Sequence, residues 1–132
     1  MSSNAEIGTF LFRDLHEYNK ISCYKLYAEL FDKKEKIIKY TKIPEKQLSE
    51  LLYLVLKRID FINENQISQE SWNQAKILTD RVDVEDVSFV ALTIESNGVL
   101  WTGDKKLYKG LKKQGFNRVV NFHDLKKLIK GK

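Results

Sequence analysis

Short apolar strands alternate with amphipathic helices along this chain, and that alternation constrains the fold more than any other feature. Strands are predicted at residues 61–62, 99–101 and 119–120, and each is followed by a segment with apolar residues at helical spacing. Strands joined by helices run parallel in a sheet with right-handed crossovers. We therefore predict an α/β fold with a short, mainly parallel central sheet flanked by helices. Functional groups gather in such folds where strands end and helices begin.

Capping residues mark the helix boundaries. Ser3 with Glu6 forms a capping-box pattern, which predicts a helix that begins almost at the first residue. Ser68 is expected to cap a later helix, while Asn97 and Gly115 are expected to end two others.

Apolar stripes on the helices predict the core. The densest stripe follows Pro44, and another lies on the helix that ends near Asn97. Together with the strand at residues 99–101, these stripes should converge on one sheet. The residues expected to be buried are Leu51, Leu52, Val55, Val90, Ala91 and Leu100.

Composition bounds the class of protein. The chain has 132 residues, 42% of them hydrophobic and 31% charged, so we expect a single domain over residues 1–132. Its one cysteine, Cys23, excludes an intrachain disulfide and a cysteine metal cage, and it suits a reducing compartment. No apolar stretch long enough to span a membrane and no leader pattern occur, so we expect a cytoplasmic location and no membrane partner.

The charge of the chain is moderately basic. A net charge of +5, from 23 Lys and Arg against 18 Asp and Glu, favours polyanions such as RNA, but it is also common on proteins that bind no nucleic acid. Two successive helices near the C-terminus are rich in lysine, which indicates either a solvated face or a surface that holds a phosphate backbone. These lysines stand at positions 105, 106, 109, 112, 113, 126, 127 and 130.

Acidic residues open two helices on either side of the strand at 99–101. Asp83, Glu85 and Asp86 begin the first of these helices, and Asp104 begins the second. Clustered carboxylates repel one another unless a hard cation such as Mg²⁺ or Mn²⁺ neutralises them, so a divalent-metal site is one interpretation. The other is capping, because acids in a first helical turn satisfy free backbone N–H groups and complement the helix dipole.

Residues 83–116 resemble the C-terminal half of PIN-domain proteins, a nuclease fold that is common among toxins of toxin–antitoxin pairs. In that family an acid precedes the alanine of an apolar helix by five residues, as Asp86 precedes Ala91 here. A strand that ends in Ser or Thr, any residue, then Asp supplies the next acid, and Thr102 with Asp104 fits this pattern.

The upstream part of the chain resembles the same family. Residues 21–30 are similar to its short second strand and following helix, where a further acid joins the site, and Glu29 matches that acid. Family members begin with a hydrophobic strand that ends in an aspartate. Because the first helix is already capped at Ser3, we expect that strand to be missing, through either a late start or a real loss.

The resemblance implies a three-layer fold and a metal-dependent ribonuclease. Asp86, Asp104 and Glu29 would hold one or two Mg²⁺ or Mn²⁺ ions, with their carboxylates in reach of a common cation. Thr102 would hydrogen-bond a ligand carboxylate or a metal-bound water, and Asp83 would add charge beside the ligands.

The partners that the resemblance implies are RNA and, for a toxin, a cognate antitoxin protein. Exposed strand edges would also invite a second copy of the chain. The alternative is a non-catalytic module that keeps the fold and binds RNA or a protein through its basic helices.

Overall fold

The computed structural model describes residues 13–15, 17–82 and 84–130. Contacts divide the chain into two compact units, each of which is treated by itself: an N-terminal unit that ends at Ile62 and a C-terminal unit that begins at Asn63. The single domain over residues 1–132 stays a prediction. Ser3, Glu6 and Asp83 lie outside the described residues.

The N-terminal unit pairs two short parallel strands. Ile21 lies opposite Asp60 and Cys23 lies opposite Ile62. The predicted strand at residues 61–62 is confirmed, as is the strand and helix that the resemblance placed at 21–30. The elements are β1 (Ile21–Cys23), α1 (Lys25–Thr41), α2 (Glu45–Leu56) and β2 (Asp60–Ile62).

The C-terminal unit contains a second parallel pair, in which Leu100 lies opposite Val119 and Trp101 opposite Val120. A single turn of 3-10 helix at Val84–Asp86 precedes the second helix of the unit. The main elements are α3 (Gln69–Thr79), α4 (Val87–Ser96), β3 (Leu100–Trp101), α5 (Lys105–Lys113), β4 (Val119–Val120) and α6 (Phe122–Lys130).

Local sequence explains where these helices begin and end. The Ser68 hydroxyl accepts the Ser71 N–H at the start of α3, as predicted. Asn97 ends α4 in the left-handed conformation with φ 56°, and Gly115 follows α5 with φ 88°. Both positions favour residues that tolerate positive φ, which is why Asn and Gly terminate these helices.

The core of the C-terminal unit lies against α4. Val90 and Ala91 are fully buried, which confirms two of the predicted core residues, and Ala75 and Thr79 of α3 are buried with them. The tight packing of α5 depends on Gly110, because a Cβ there would lie 2.5 Å from a methyl group of Val82.

The predicted burial of Leu51, Leu52, Val55 and Leu100 is wrong in degree, since all four are only partly buried. Leu48 is the buried residue of α2. Val99 is 50% exposed because the ladder to β4 begins one residue later, where the Leu100 N–H donates to the Arg118 carbonyl.

The parallel pairing confirms the α/β class, but the single convergent sheet is a wrong expectation for the described residues. Their four strands form two separate two-stranded sheets. Each strand has only two or three residues and pairs with one neighbour. Among the described residues, no helix has both the length and the apolar character needed to cross a membrane.

Candidate metal centre

Asp104 stands where β3 ends and α5 begins. Its Oδ1 accepts the backbone N–H groups of Lys106 at 2.9 Å and Leu107 at 3.1 Å, so the predicted capping role is confirmed. Its Oδ2 accepts no hydrogen bond from the described residues, and the side chain is exposed. Capping and cation binding are therefore compatible on this one carboxylate, since each can use a different oxygen.

Thr102 fixes the backbone of Asp104. The Thr102 Oγ1 accepts the Asp104 N–H at 3.0 Å, and the Thr102 N–H donates to the Val120 carbonyl at 3.0 Å. The threonine thus connects the turn before α5 to the ladder with β4. Its Oγ1 thus contacts a backbone N–H, whereas the resemblance implied a ligand carboxylate or a metal-bound water as its partner.

Asp86 occupies the N-cap position of α4 with φ −91° and ψ 6°, and its side chain makes no capping hydrogen bond to the helix. From the sequence, Asp86 was expected inside the first turn of a helix that begins at Asp83, where an acid can satisfy free backbone N–H groups. That position is wrong because the 3-10 turn at Val84–Asp86 delays the start of the α-helix to Val87. The half-buried carboxylate of Asp86 is therefore not used to cap α4.

Glu29 lies on α1 in the N-terminal unit. Its Oε2 accepts a hydrogen bond from the Lys33 ammonium group at 3.1 Å, one turn later on the same helix. Its side chain is 22% exposed, which is less than its position off the apolar stripe suggests. The other carboxylate oxygen, Oε1, accepts no hydrogen bond from the described residues.

Comparison with known families identifies the family to which the chain belongs. A family model described as PIN domain matches residues 4–123 of the 132. The chain belongs to the PIN-domain family. A search of curated proteins found no match, and neither did a search of solved structures. The PIN match spans Glu29, Asp86 and Asp104, and the family is nuclease-like and generally dependent on divalent metals.

One acidic residue, directly after the end of the PIN match at residue 123, was not singled out from the sequence. Asp124 lies in the first turn of α6, directly after β4, and its N–H donates to the Asn121 Oδ1 at 2.8 Å. A hydrogen bond from the Tyr108 hydroxyl lowers the pKa of Asp124, and the same bond raises the pKa of Tyr108. The available signal was the Asn-x-x-Asp spacing after a predicted strand.

Asp104 and Asn121 occupy equivalent places in this PIN domain, because each precedes a helix and its side-chain oxygen accepts the N–H of the third residue on. Asp124 lies one turn further, inside α6. Because β3 and β4 are parallel neighbours, the residues that follow them leave the same edge of the pair. Within the described part of the chain, no group of three or more His, Cys, Asp or Glu side chains stands together in a form that could hold an ion. The carboxylates of this domain nevertheless supply the hard oxygen donors that Mg²⁺ and Mn²⁺ prefer.

Proposed function

We propose that this PIN domain is a metal-dependent ribonuclease that hydrolyses RNA phosphodiester bonds, with Asp86, Asp104 and Glu29 as its metal ligands and Mg²⁺ or Mn²⁺ as the ion. The observation that supports the proposal most is the hydrogen bonding of the Asp104 carboxylate. Two backbone N–H groups hold one of its oxygens, and the other oxygen accepts nothing from the described residues. A ligand that is fixed before the ion arrives loses less conformational freedom on binding.

The path of the chain supports a shared site for Asp86 and Asp104. From Asp86 the chain runs along the ten residues of α4, which is about 15 Å, and it reverses at Asn97. It returns through β3, and the 104 − 97 = 7 residues from Asn97 to Asp104 reach at most about 23 Å at 3.3 Å per residue, which is long enough to run back along the whole of α4. This path supports the proposal that the two acids lie at the same end of the α4–β3 pair.

A bound ion would polarise the scissile phosphate and lower the pKa of an attacking water. Asp86, Asp104 and Glu29 would hold and orient that ion. Thr102 would keep Asp104 in place through its hydrogen bond to the Asp104 N–H, and its own hydroxyl hydrogen could be donated to a neighbouring oxygen. Asp83 would add negative charge beside Asp86.

The toxin role, the three-layer arrangement and a cytoplasmic location are part of the same proposal. A cognate antitoxin or a second copy of the chain would find exposed aromatic surface on α1 and α2, where Phe31 is 82% and Tyr53 62% exposed. Exposed apolar surface of this kind is typical of protein-binding sites.

The proposal is tested by changing Asp104 to Asn in a form of the chain extended by a family-like first strand that ends in aspartate. The amide keeps the shape and the capping oxygen but removes the charge, so we expect metal-dependent RNA cleavage to fall at least roughly 100-fold with little change in thermal stability. Asp80→Asn is the matched control, because Asp80 is an exposed aspartate of the same unit that lies at the end of α3. Equal cleavage by the parent and the Asp104→Asn variant would refute the proposal.

The basal activity for this test depends on the first strand. We expect the 132-residue chain to cleave RNA weakly or not at all in Mn²⁺, because small displacements of catalytic groups can cost roughly 100-fold in rate. A form extended by a family-like strand that ends in aspartate should cleave clearly. If the extended form binds Mn²⁺ but cleaves no RNA, the alternative of a non-catalytic binding module replaces the nuclease.

A further inference from the structure

We propose that the lysine face of α5 binds the phosphate backbone of a single-stranded RNA and guides it toward Asp104. We define this face as Lys105, Lys106, Lys109, Lys112 and Lys113. The inference rests on the proposed function for the identity of the polyanion. Binding of the polyanion needs no metal ion, so it can be measured separately from cleavage.

The lysine face accounts for the whole net charge of the protein. The nine residues of α5 include five lysines and no acid. The remaining chain has 23 − 5 = 18 Lys and Arg against 18 Asp and Glu, so it is formally neutral. A basic excess gathered on one nine-residue helix is a local electrostatic site and not a general property of the surface.

Packing turns all five lysines outward. At 100° per residue they fall within an arc of about 120° on the helix. Leu107 and Leu111 are buried on the opposite side, and Gly110 lies against Val82. All five lysines are exposed, and they extend over about 12 Å along the axis of α5.

The charges of the lysine face are available to an external anion. None of its five lysines forms an ion pair with a carboxylate in the part of the chain that the structure describes. Two lysines of the N-terminal unit are paired instead, Lys33 with Glu29 and Lys34 with Glu45. Within the face, Lys112 lies over the Tyr108 ring at 5.3 Å and its charge also helps to lower the pKa of Asp124, so it is the lysine of the face that the protein itself engages most.

Two features favour nucleic acid over a lipid surface. Membrane-binding helices combine basic residues with apolar side chains that enter the lipid, whereas both leucines of α5 are buried in the protein. Lys105, Lys109 and Lys112 form a line along the helix, as a linear array of phosphates requires. The line begins next to Asp104, so a strand held on it reaches the proposed metal ligand.

The test compares two triple variants of the whole 132-residue chain. Lys105→Gln/Lys109→Gln/Lys112→Gln changes the lysine face, and Lys36→Gln/Lys39→Gln/Lys46→Gln removes the same charge from exposed positions on α1 and α2. Binding to a fluorescent single-stranded RNA is measured by anisotropy in EDTA over a range of salt concentrations. Circular dichroism checks that both variants are folded.

We expect the lysine-face variant to bind RNA roughly 100-fold more weakly at 0.1 M salt, and the slope of log K against log salt to become shallower by about 2, because each lost phosphate contact contributes about 0.7. The control variant should keep the slope of the parent. An equal loss of RNA affinity in both variants would show that only the net charge of the protein matters, and it would overturn the proposal. Tighter binding of the parent to anionic phospholipid vesicles than to RNA would overturn it in favour of a membrane.

Failure of this inference can be told apart from failure of the proposed function. RNA binding that depends on the lysine face, together with no cleavage by any form, supports the inference and removes the nuclease. Metal-dependent cleavage, together with RNA binding that is equally tight in the parent and the lysine-face variant, supports the nuclease and removes the inference.

Discussion

The two units of the chain treat their apolar side chains differently. The C-terminal unit buries aliphatic residues from three helices and a strand: Ala75, Val90, Ala91, Leu92, Leu107, Leu111 and Val119. Among the described residues of the N-terminal unit, the buried apolar side chains are Leu15, Cys23 and Leu48, and much of the unit's aromatic surface is exposed. Its exposed aromatic residues are Tyr18, Tyr24, Tyr27, Phe31, Tyr40 and Tyr53.

An apolar stripe shows that a helix face needs a partner, and it does not show how closely that partner will pack. The stripe on α2 is the densest in the sequence, yet its residues Leu51, Leu52 and Val55 are only partly buried. The centre of the stripe on α4, Val90 and Ala91, is fully buried because α3 and β3 both pack on that helix. We therefore expect stability to depend on the core of the C-terminal unit.

The largest effect expected from this comparison is on stability. Leu111→Ala removes a fully buried side chain from the C-terminal unit and should lower the free energy of unfolding by about 2–5 kcal/mol. Leu54→Ala is the matched change in the N-terminal unit, where the leucine is 44% exposed, and it should cost less than about 1 kcal/mol. Urea unfolding of the two variants measures both values. Equal costs would show that Leu54 is as well packed as Leu111 in solution.

A smaller effect concerns helix capping. Ser68→Ala removes the hydroxyl that caps α3 and should destabilise the protein by about 1 kcal/mol. The same change at Ser49, which is exposed in the interior of α2, removes no cap and should be neutral or slightly stabilising, because alanine favours helix. Thermal melts of the two variants should shift in opposite directions or differ clearly in size. A loss at Ser49 as large as at Ser68 would contradict the capping explanation.

The smallest effect is a difference in pH dependence. Hydrogen bonds from the Ser68 hydroxyl, the Ser68 N–H and the Ser71 hydroxyl lower the pKa of Glu95, and Lys34 lowers the pKa of Glu45 through its hydrogen bond. Stabilisation from a carboxylate with a lowered pKa is fully present above its unfolded-state pKa of about 4.3, and it is lost as the pH falls through the folded-state value.

Glu95→Gln should therefore flatten the acid limb of the stability curve more than Glu45→Gln does. Glu95 holds the start of α3 through several hydrogen bonds, at 2.8 Å and 2.9 Å for the two that involve Ser68 N–H and Ser71 hydroxyl. Glu45 makes one ion pair, with the Lys34 ammonium group, and its own carboxylate is exposed, so solvent and salt weaken the pair. Urea midpoints between pH 3 and pH 7 measure the difference, and a steeper effect at Glu45 would reverse the comparison.

Features that local sequence determines were predicted well. Ser68, Asn97, Gly115 and Asp104 end or cap helices as expected, because each uses its own side chain or its own φ within one turn. The strands at residues 60–62 and 119–120 were also recognised from their short apolar runs.

Features that depend on distant partners were not predicted. Val99 lies outside the ladder because the position of β4 sets where pairing begins. The bond from Tyr108 to Asp124 requires α5 and α6 to lie side by side, which no local pattern specifies. Asp86 does not cap the helix as expected, because a 3-10 turn forms at Val84–Asp86. A helical-wheel argument assumes a regular α-helix and cannot predict such a turn. The metal-ligand roles of Glu29, Asp86 and Asp104 stay predictions.

Cys23, the single cysteine of the chain, is fully buried in β1. A thiol reagent can reach it only when β1 separates from its surroundings, so the rate of modification reports local opening of the N-terminal unit. The same measurement in increasing urea distinguishes opening of that unit from unfolding of the whole chain, since only the second grows steeply with denaturant. The rate at which Cys23 is modified is therefore a direct measure of local opening in the N-terminal unit.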